Sequence, residues 1–118
     1  MRDFMAECCV RWDEMPWEMV SETIKRKVCL GKQIMMVFYC FEPFAQWPEE
    51  RHMAEQAGYV IEGKIVLKQP GDGRETVLGP GDGYLIESNK KHSWRVLEEK
   101  VVLLDIFSPP RMELIGQS

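Results

Sequence analysis

Histidine is scarce in this chain: His52 and His92 are the only two in 118 residues. The four cysteines, Cys8, Cys9, Cys29 and Cys40, form no CxxC pair and lack the spacing of a disulfide framework, and neighbouring Cys8 and Cys9 cannot easily bridge to each other. A cysteine-based zinc site is therefore poorly supported, and reduced thiols of a cytoplasmic protein are the expectation. No basic block occurs: 15 Lys and Arg stand against 19 Asp and Glu, a net charge of −4, which leaves no electrostatic footprint for nucleic acid. The longest apolar run, Ile34 to Phe41, falls well short of the roughly 20 residues of a membrane helix. No basic, apolar and small-residue series marks a secretory signal, so neither a membrane nor export is expected.

What is present reads as short strands. The length suits one domain with one core. From Thr23 onward the candidates are 23–30, 33–42, 45–52, 57–61, 64–69, 75–78, 83–87, 91–97 and 99–107, broken by Gly31-Lys32, Pro43, Gly63, the Pro70–Gly73 and Gly79–Gly83 clusters and Asn89. Such regular punctuation predicts an all-β sandwich or barrel over 23–118. Along 99–107, Val101, Leu103, Asp105 and Phe107 share one face while Val102, Leu104 and Ile106 share the other, so both faces call for cover. Residues 1–22 differ, being rich in Met and Trp and interrupted by Pro16; they are expected to form an irregular or strand-like arm laid on the barrel.

Two polar groups carry chemistry. Glu50 and His52, two apart, point to the same face of an extended strand, and Gln56 follows across an expected bend. Carboxylate oxygen, imidazole nitrogen and amide oxygen together suit a hard or borderline divalent cation. His92 shares a face with Trp94 and Val96 on a later strand and would complete the set. Two readings stand at this level: a metal site of Glu50, His52, Gln56 and His92, or a hydrogen-bonded polar pocket beside a solvated Glu50.

These stretches resemble the two motifs of the cupin superfamily. Glu50, His52, Gln56 and Gly63 match the intervals of the first motif, and Gly81, Glu87, Asn89 and His92 those of the second, the likeness covering about residues 23–111. Four departures stand out: Phe44 in place of the opening glycine, Glu50 in place of a first histidine ligand, and Glu87 and Asn89 in place of proline and glycine. The resemblance implies a double-stranded β-helix, a small antiparallel barrel or jelly roll with the site in its mouth. A carboxylate at position 50 shifts preference toward harder ions such as Mn²⁺ or Fe²⁺, with Zn²⁺ and Ni²⁺ still allowed. "EQAGYVIEGK", "PGDGYLIESNKKH" and "LLDIFSPPR" further resemble small single-domain cupins related to the pectin-degradation protein that opens the ring of 4,5-unsaturated uronates.

From that resemblance follow the expected roles. Asp105, a carboxylate in an apolar strand, is the candidate for proton transfer if its face lines the interior; alternatively it accepts hydrogen bonds that fix the strand end. Arg111, after the Ser108-Pro109-Pro110 turn, either grips a ligand's carboxylate or pairs with Glu113. Trp94 is the candidate to stack on a sugar ring, with Tyr59 and Phe107 assigned to the same ligand, while the other strand aromatics and Met35, Met36 and Met53 are expected to fill the core. The leading expectation is a metal-dependent, isomerase-like enzyme acting on an unsaturated uronate or related carbohydrate acid. A non-catalytic binding or sensing barrel and a metal-dependent dioxygenase are the alternatives. The apolar outer faces of 33–42 and 99–107, together with the Trp/Met arm, predict a homodimer.

Overall fold

A computed structural model describes residues 8–69 and 71–116, and the expected arm's first seven residues lie outside that range. Among the described residues ten strands form two antiparallel sheets: β1 (Glu18–Met19), β2 (Ile24–Leu30), β3 (Met35–Phe41), β4 (Gln46–Glu50), β5 (Glu55–Glu62), β6 (Ile65–Lys68), β7 (Glu75–Leu78), β8 (Gly83–Ile86), β9 (His92–Val96) and β10 (Val101–Ser108). One sheet runs β1-β2-β3-β10-β5-β8 and the other β4-β9-β6-β7. The expected all-β barrel is therefore the observed one, with strand ends displaced by a few residues.

Period-two alternation decides what enters the barrel. On β10 the side chains of Val101, Leu103, Asp105 and Phe107 are buried, while Val102, Leu104 and Ile106 on the other face are only half-buried. On β9 the buried set is His92, Trp94 and Val96. A single apolar core that includes Met35, Val37, Val60, Ile65, Leu103 and Phe107 joins the two sheets. Met53, expected as a gap filler, instead sits exposed in the bend after β4. The contrast with Met35 is geometric, because the bend turns residue 53 outward.

The arm does more than lie on the surface. β1 adds to the edge of β2, Trp12 stacks on Phe38 with centroids 5.4 Å apart, and buried Lys27 donates from Nζ to the Trp12 carbonyl over 2.7 Å. This covers the outer face of β2 and β3. The outer face of β5, β8 and β10 is apolar and open, with Tyr59, Ile61 and Leu85 exposed. No helix among the described residues is long and apolar enough to cross a membrane.

Two turns set the site. Gly63 ends β5 at φ +79°, and a Cβ there would lie 2.1 Å from the Lys100 carbonyl oxygen, so glycine is required on both grounds. Asn89, at φ 63°, donates its backbone N–H to the His52 carbonyl over 2.7 Å, tying the turn before β9 to the bend after β4. Phe44 takes the same left-handed conformation (φ 64°) with its ring exposed, which accounts for the glycine usual in the motif it resembles.

Candidate metal centre and ligand pocket

β4 and β9 are neighbours, with Glu50 opposite His92 in the register, and the Asn89 tie holds His52 against them. The result is that Glu50, His52 and His92 present ligand atoms all within 4.8 Å of one another. Glu50 Oε1 lies 3.6 Å from His52 Nε2 and 3.7 Å from His92 Nε2. Each imidazole is oriented from behind: His52 Nδ1 pairs with the Ala54 carbonyl at 2.7 Å and His92 Nδ1 with the Lys90 carbonyl at 2.9 Å. A carbonyl only accepts, so Nδ1 carries the proton, and in the neutral form of either ring the Nε2 lone pair turns toward Glu50.

Two imidazole lone pairs thus face one carboxylate oxygen. His52 Nε2, His92 Nε2 and Gln56 Oε1 are all buried without a hydrogen-bond partner, an arrangement that costs free energy unless a cation or a proton fills it. Burial lowers the pKa of His92 from its ordinary value, which works against the proton. The donor set therefore fits a divalent ion, with the second partner of each imidazole typical of metal-ligating histidines. Gln56 comes in from β5, its side chain bonded to Asp105.

Next to these groups is a small pocket of about 20 Å³, partly open to solvent, lined among others by Glu50, Gln56, Tyr84, Trp94, Asp105 and Arg111. Asp105 is enclosed, and burial lifts its carboxyl from its ordinary value to about 7, against the opposing pull of hydrogen bonds from Tyr84 and Gln56. Tyr39 is pushed up to about 12, by burial first and Asp105 second. Tyr84 is raised well above the ordinary phenol value for the same two reasons.

Arg111 is buried, its guanidinium 5.0 Å from the Phe107 ring centroid. It donates from Nε to Glu113 over 3.0 Å and from Nη1 to Glu50 Oε1 over 3.3 Å. Both partners are carboxylates of the chain itself, so the pair with Glu113 that sequence reasoning set against ligand binding is present, and the contact with Glu50 is one it did not foresee. Trp94 and Phe107 line the pocket. Tyr59 does not: it points outward and is 53% exposed, because Gln56, Gly58 and Val60 take the inner positions of β5 and alternation sends residue 59 to the other face.

Sequence reasoning missed Tyr84 and Gly58. Gly58 stands between Tyr84 on β8 and Asp105 on β10 in one row of the sheet. Having no side chain, it lets the Tyr84 ring cross over β5 and donate its hydroxyl hydrogen to Asp105 Oδ1. The inward pattern of Tyr84 and Ile86 could have flagged the tyrosine. The row itself depends on strand register.

Comparison with known proteins agrees with this architecture. Residues 37–107 match the cupin domain family. The pectin degradation protein KdgF of Dickeya dadantii (strain 3937) is 35% identical over 105 residues, spanning 87% of this chain and 94% of that protein. The solved structure of KdgF from Halomonas sp. superposes with a TM-score of 0.81 at 28% identity, covering 88% of this chain and 96% of the other. An RmlC-like cupin from Shewanella frigidimarina NCIMB 400 reaches a TM-score of 0.84 at 24% identity, covering 92% and 96%.

Proposed function

Because the chain belongs to the cupin family, we propose that it is a metal-dependent small-molecule enzyme of uronate breakdown, acting as an isomerase on an unsaturated uronate or a related carbohydrate acid. The observation that carries the metal part is the pair of buried, unpaired imidazole nitrogens facing the Glu50 carboxylate, with the unpaired Gln56 Oε1 lining the same pocket as Glu50. The substrate class rests on the likeness to the two KdgF proteins. Glu50, His52, Gln56 and His92 would hold the ion, which supplies Lewis acidity toward a hydroxyl or carbonyl oxygen when bound.

The remaining roles belong to the chain's own side chains. Asp105, with a pKa near 7, is matched to taking up and returning a proton near neutral pH. Tyr84 fixes Asp105 Oδ1 and so orients the carboxyl. Arg111 at the pocket wall offers its remaining N–H donors to the ligand's carboxylate, and Trp94 and Phe107 supply apolar walls that limit water. The test is incubation of the protein, with each of Mn²⁺, Fe²⁺, Zn²⁺ and Ni²⁺ in turn, with a 4,5-unsaturated uronate while its ultraviolet absorption is followed. Loss of the absorption faster than in protein-free controls is expected; no change with any ion removes this substrate class.

A second reading, a binding barrel without turnover, draws on the Arg111–Glu50 contact, since it supplies a cation to Glu50 with no metal. Elemental analysis of protein purified without chelator separates the two: stoichiometric metal that is lost in His92→Ala supports the enzyme. The open apolar face of β5, β8 and β10 supports a symmetric dimer in either case.

A further inference from the structure

The Glu50 oxygen that faces both imidazoles is also the oxygen that Arg111 holds. Oε1 lies 3.3 Å from Arg111 Nη1, 3.6 Å from His52 Nε2 and 3.7 Å from His92 Nε2. The guanidinium cannot drift off, being buried over Phe107 and tethered through Nε to Glu113. A fixed positive charge therefore stands on the one anionic donor of a site whose other donors, His52 Nε2, His92 Nε2 and Gln56 Oε1, are neutral, buried and unpaired.

We propose that Arg111 is a latch on the metal site: it occupies Glu50 Oε1 in the metal-free protein and must yield that oxygen when a divalent ion binds. This rests on the metal reading given above and adds a positioning role to it. Two cations cannot share one carboxylate oxygen without strong mutual repulsion, so the ion's affinity is set by what remains after the Arg111 bond is broken. Glu113 makes the exchange feasible. When Glu50 is taken, the guanidinium keeps a carboxylate partner through Nε and is not left as a buried unpaired charge. The Nη1 donor released from Glu50 then becomes available to the carboxylate of an acidic ligand, so loading the ion prepares the acid-binding group.

The test is calorimetric titration of chelator-treated full-length protein with Ni²⁺ and separately with Mn²⁺ at one pH, for wild type, Arg111→Met, Arg111→Lys, Glu50→Gln and the Glu50→Gln/Arg111→Met double variant. Circular dichroism checks that each variant is folded. Arg111→Met is expected to bind both ions at least tenfold more tightly than wild type, the scale of one charge-assisted hydrogen bond removed from the competition. Arg111→Lys, which keeps the charge but loses the planar fork, is expected to show a smaller gain in the same direction and serves alone if the methionine variant does not fold. In the Glu50→Gln background the gain from Arg111→Met is expected to shrink severalfold, because no carboxylate is left to release. Wild-type binding with unchanged or weaker affinity in the Arg111 variants overturns the latch and leaves the metal site standing. An undiminished gain in the double variant also overturns it, since repulsion through space would then account for the effect. Absence of binding in wild type and every variant overturns both the latch and the metal reading.

Discussion

Gly58→Ala puts a Cβ 2.1 Å from Tyr84 Cζ and 2.2 Å from its hydroxyl oxygen, where ordinary contact begins at 3.4 Å. Gly58 is not in the left-handed region, so the backbone itself tolerates alanine and the whole effect is steric. The ring has little room to retreat, for Trp94 lies against it at a tilt with centroids 4.7 Å apart. Two costs add: overpacking, about 1–3 kcal/mol, and loss of the hydroxyl's hydrogen bond to the buried Asp105 carboxyl, about 1.5–3 kcal/mol for a bond to a charged group. A destabilisation of about 2.5–6 kcal/mol is expected by urea unfolding at pH 8, where the Asp105 carboxyl is ionised. Tyr84→Phe, which keeps the ring and removes only the hydroxyl, isolates the second part. The decisive measurement is the cycle with Tyr84→Ala: once the ring is gone, Gly58→Ala should cost under about 1 kcal/mol, giving a coupling of several kcal/mol. Equal costs of Gly58→Ala in both backgrounds would show that the glycine is there for some reason other than passage of the tyrosine.

Asp105 is expected to make metal-free protein less stable as pH rises. Its carboxyl has a pKa of about 7 when folded and about 3.9 when unfolded, so between those values the native state holds a proton that the unfolded chain has released; stability declines across that window by up to about 4 kcal/mol. Asp105→Asn should flatten this decline, and equal pH slopes for variant and wild type in chemical unfolding at pH 5 and pH 8 would refute the assignment. Thiol titration should find two fast groups, exposed Cys8 and Cys9, and two that react only on unfolding, Cys29 and Cys40, which are buried and whose pKa values burial raises; four fast thiols in the native protein would contradict the packing. Phe44→Gly removes a side chain from a left-handed residue, a strain of about 1–2 kcal/mol, partly offset by glycine's greater unfolded freedom, about 0.5–1 kcal/mol. The variant should be as stable as wild type or up to about 1.5 kcal/mol more so, and a clear loss in thermal or urea melts would count against it.

How far the site was legible follows from the physics each part needs. The pairs Glu50 with His52 and His92 with Trp94 could be placed on common faces because strand alternation is a local property of two residues. The same rule applied to β5 would have placed Tyr59 outside once Gln56 was put inside, since 56 and 59 differ by an odd number. Asp105 could be flagged because a carboxylate among alternating apolar residues is costly wherever it lands. Its partners Tyr84 and Gly58 were not legible, because they meet it only through the registers of β8 on β5 and β5 on β10.

Arg111 shows the boundary most clearly. Its spacing to Glu113 is local and was weighed from sequence; its contact with Glu50 joins residues 61 apart and comes from the return of the chain after β10 across the mouth of the barrel. Local pattern was enough for most of the strands and inward faces, for the two motifs and for the donor atoms available to an ion, because alternation, turn chemistry and residue type act over a few neighbouring positions. It took the folded chain to show that two unpaired imidazole nitrogens converge on one carboxylate oxygen, that an arginine already holds that oxygen, and that a glycine lets a tyrosine reach Asp105. Those are distances between remote residues, fixed by register and by how the two sheets close over one core.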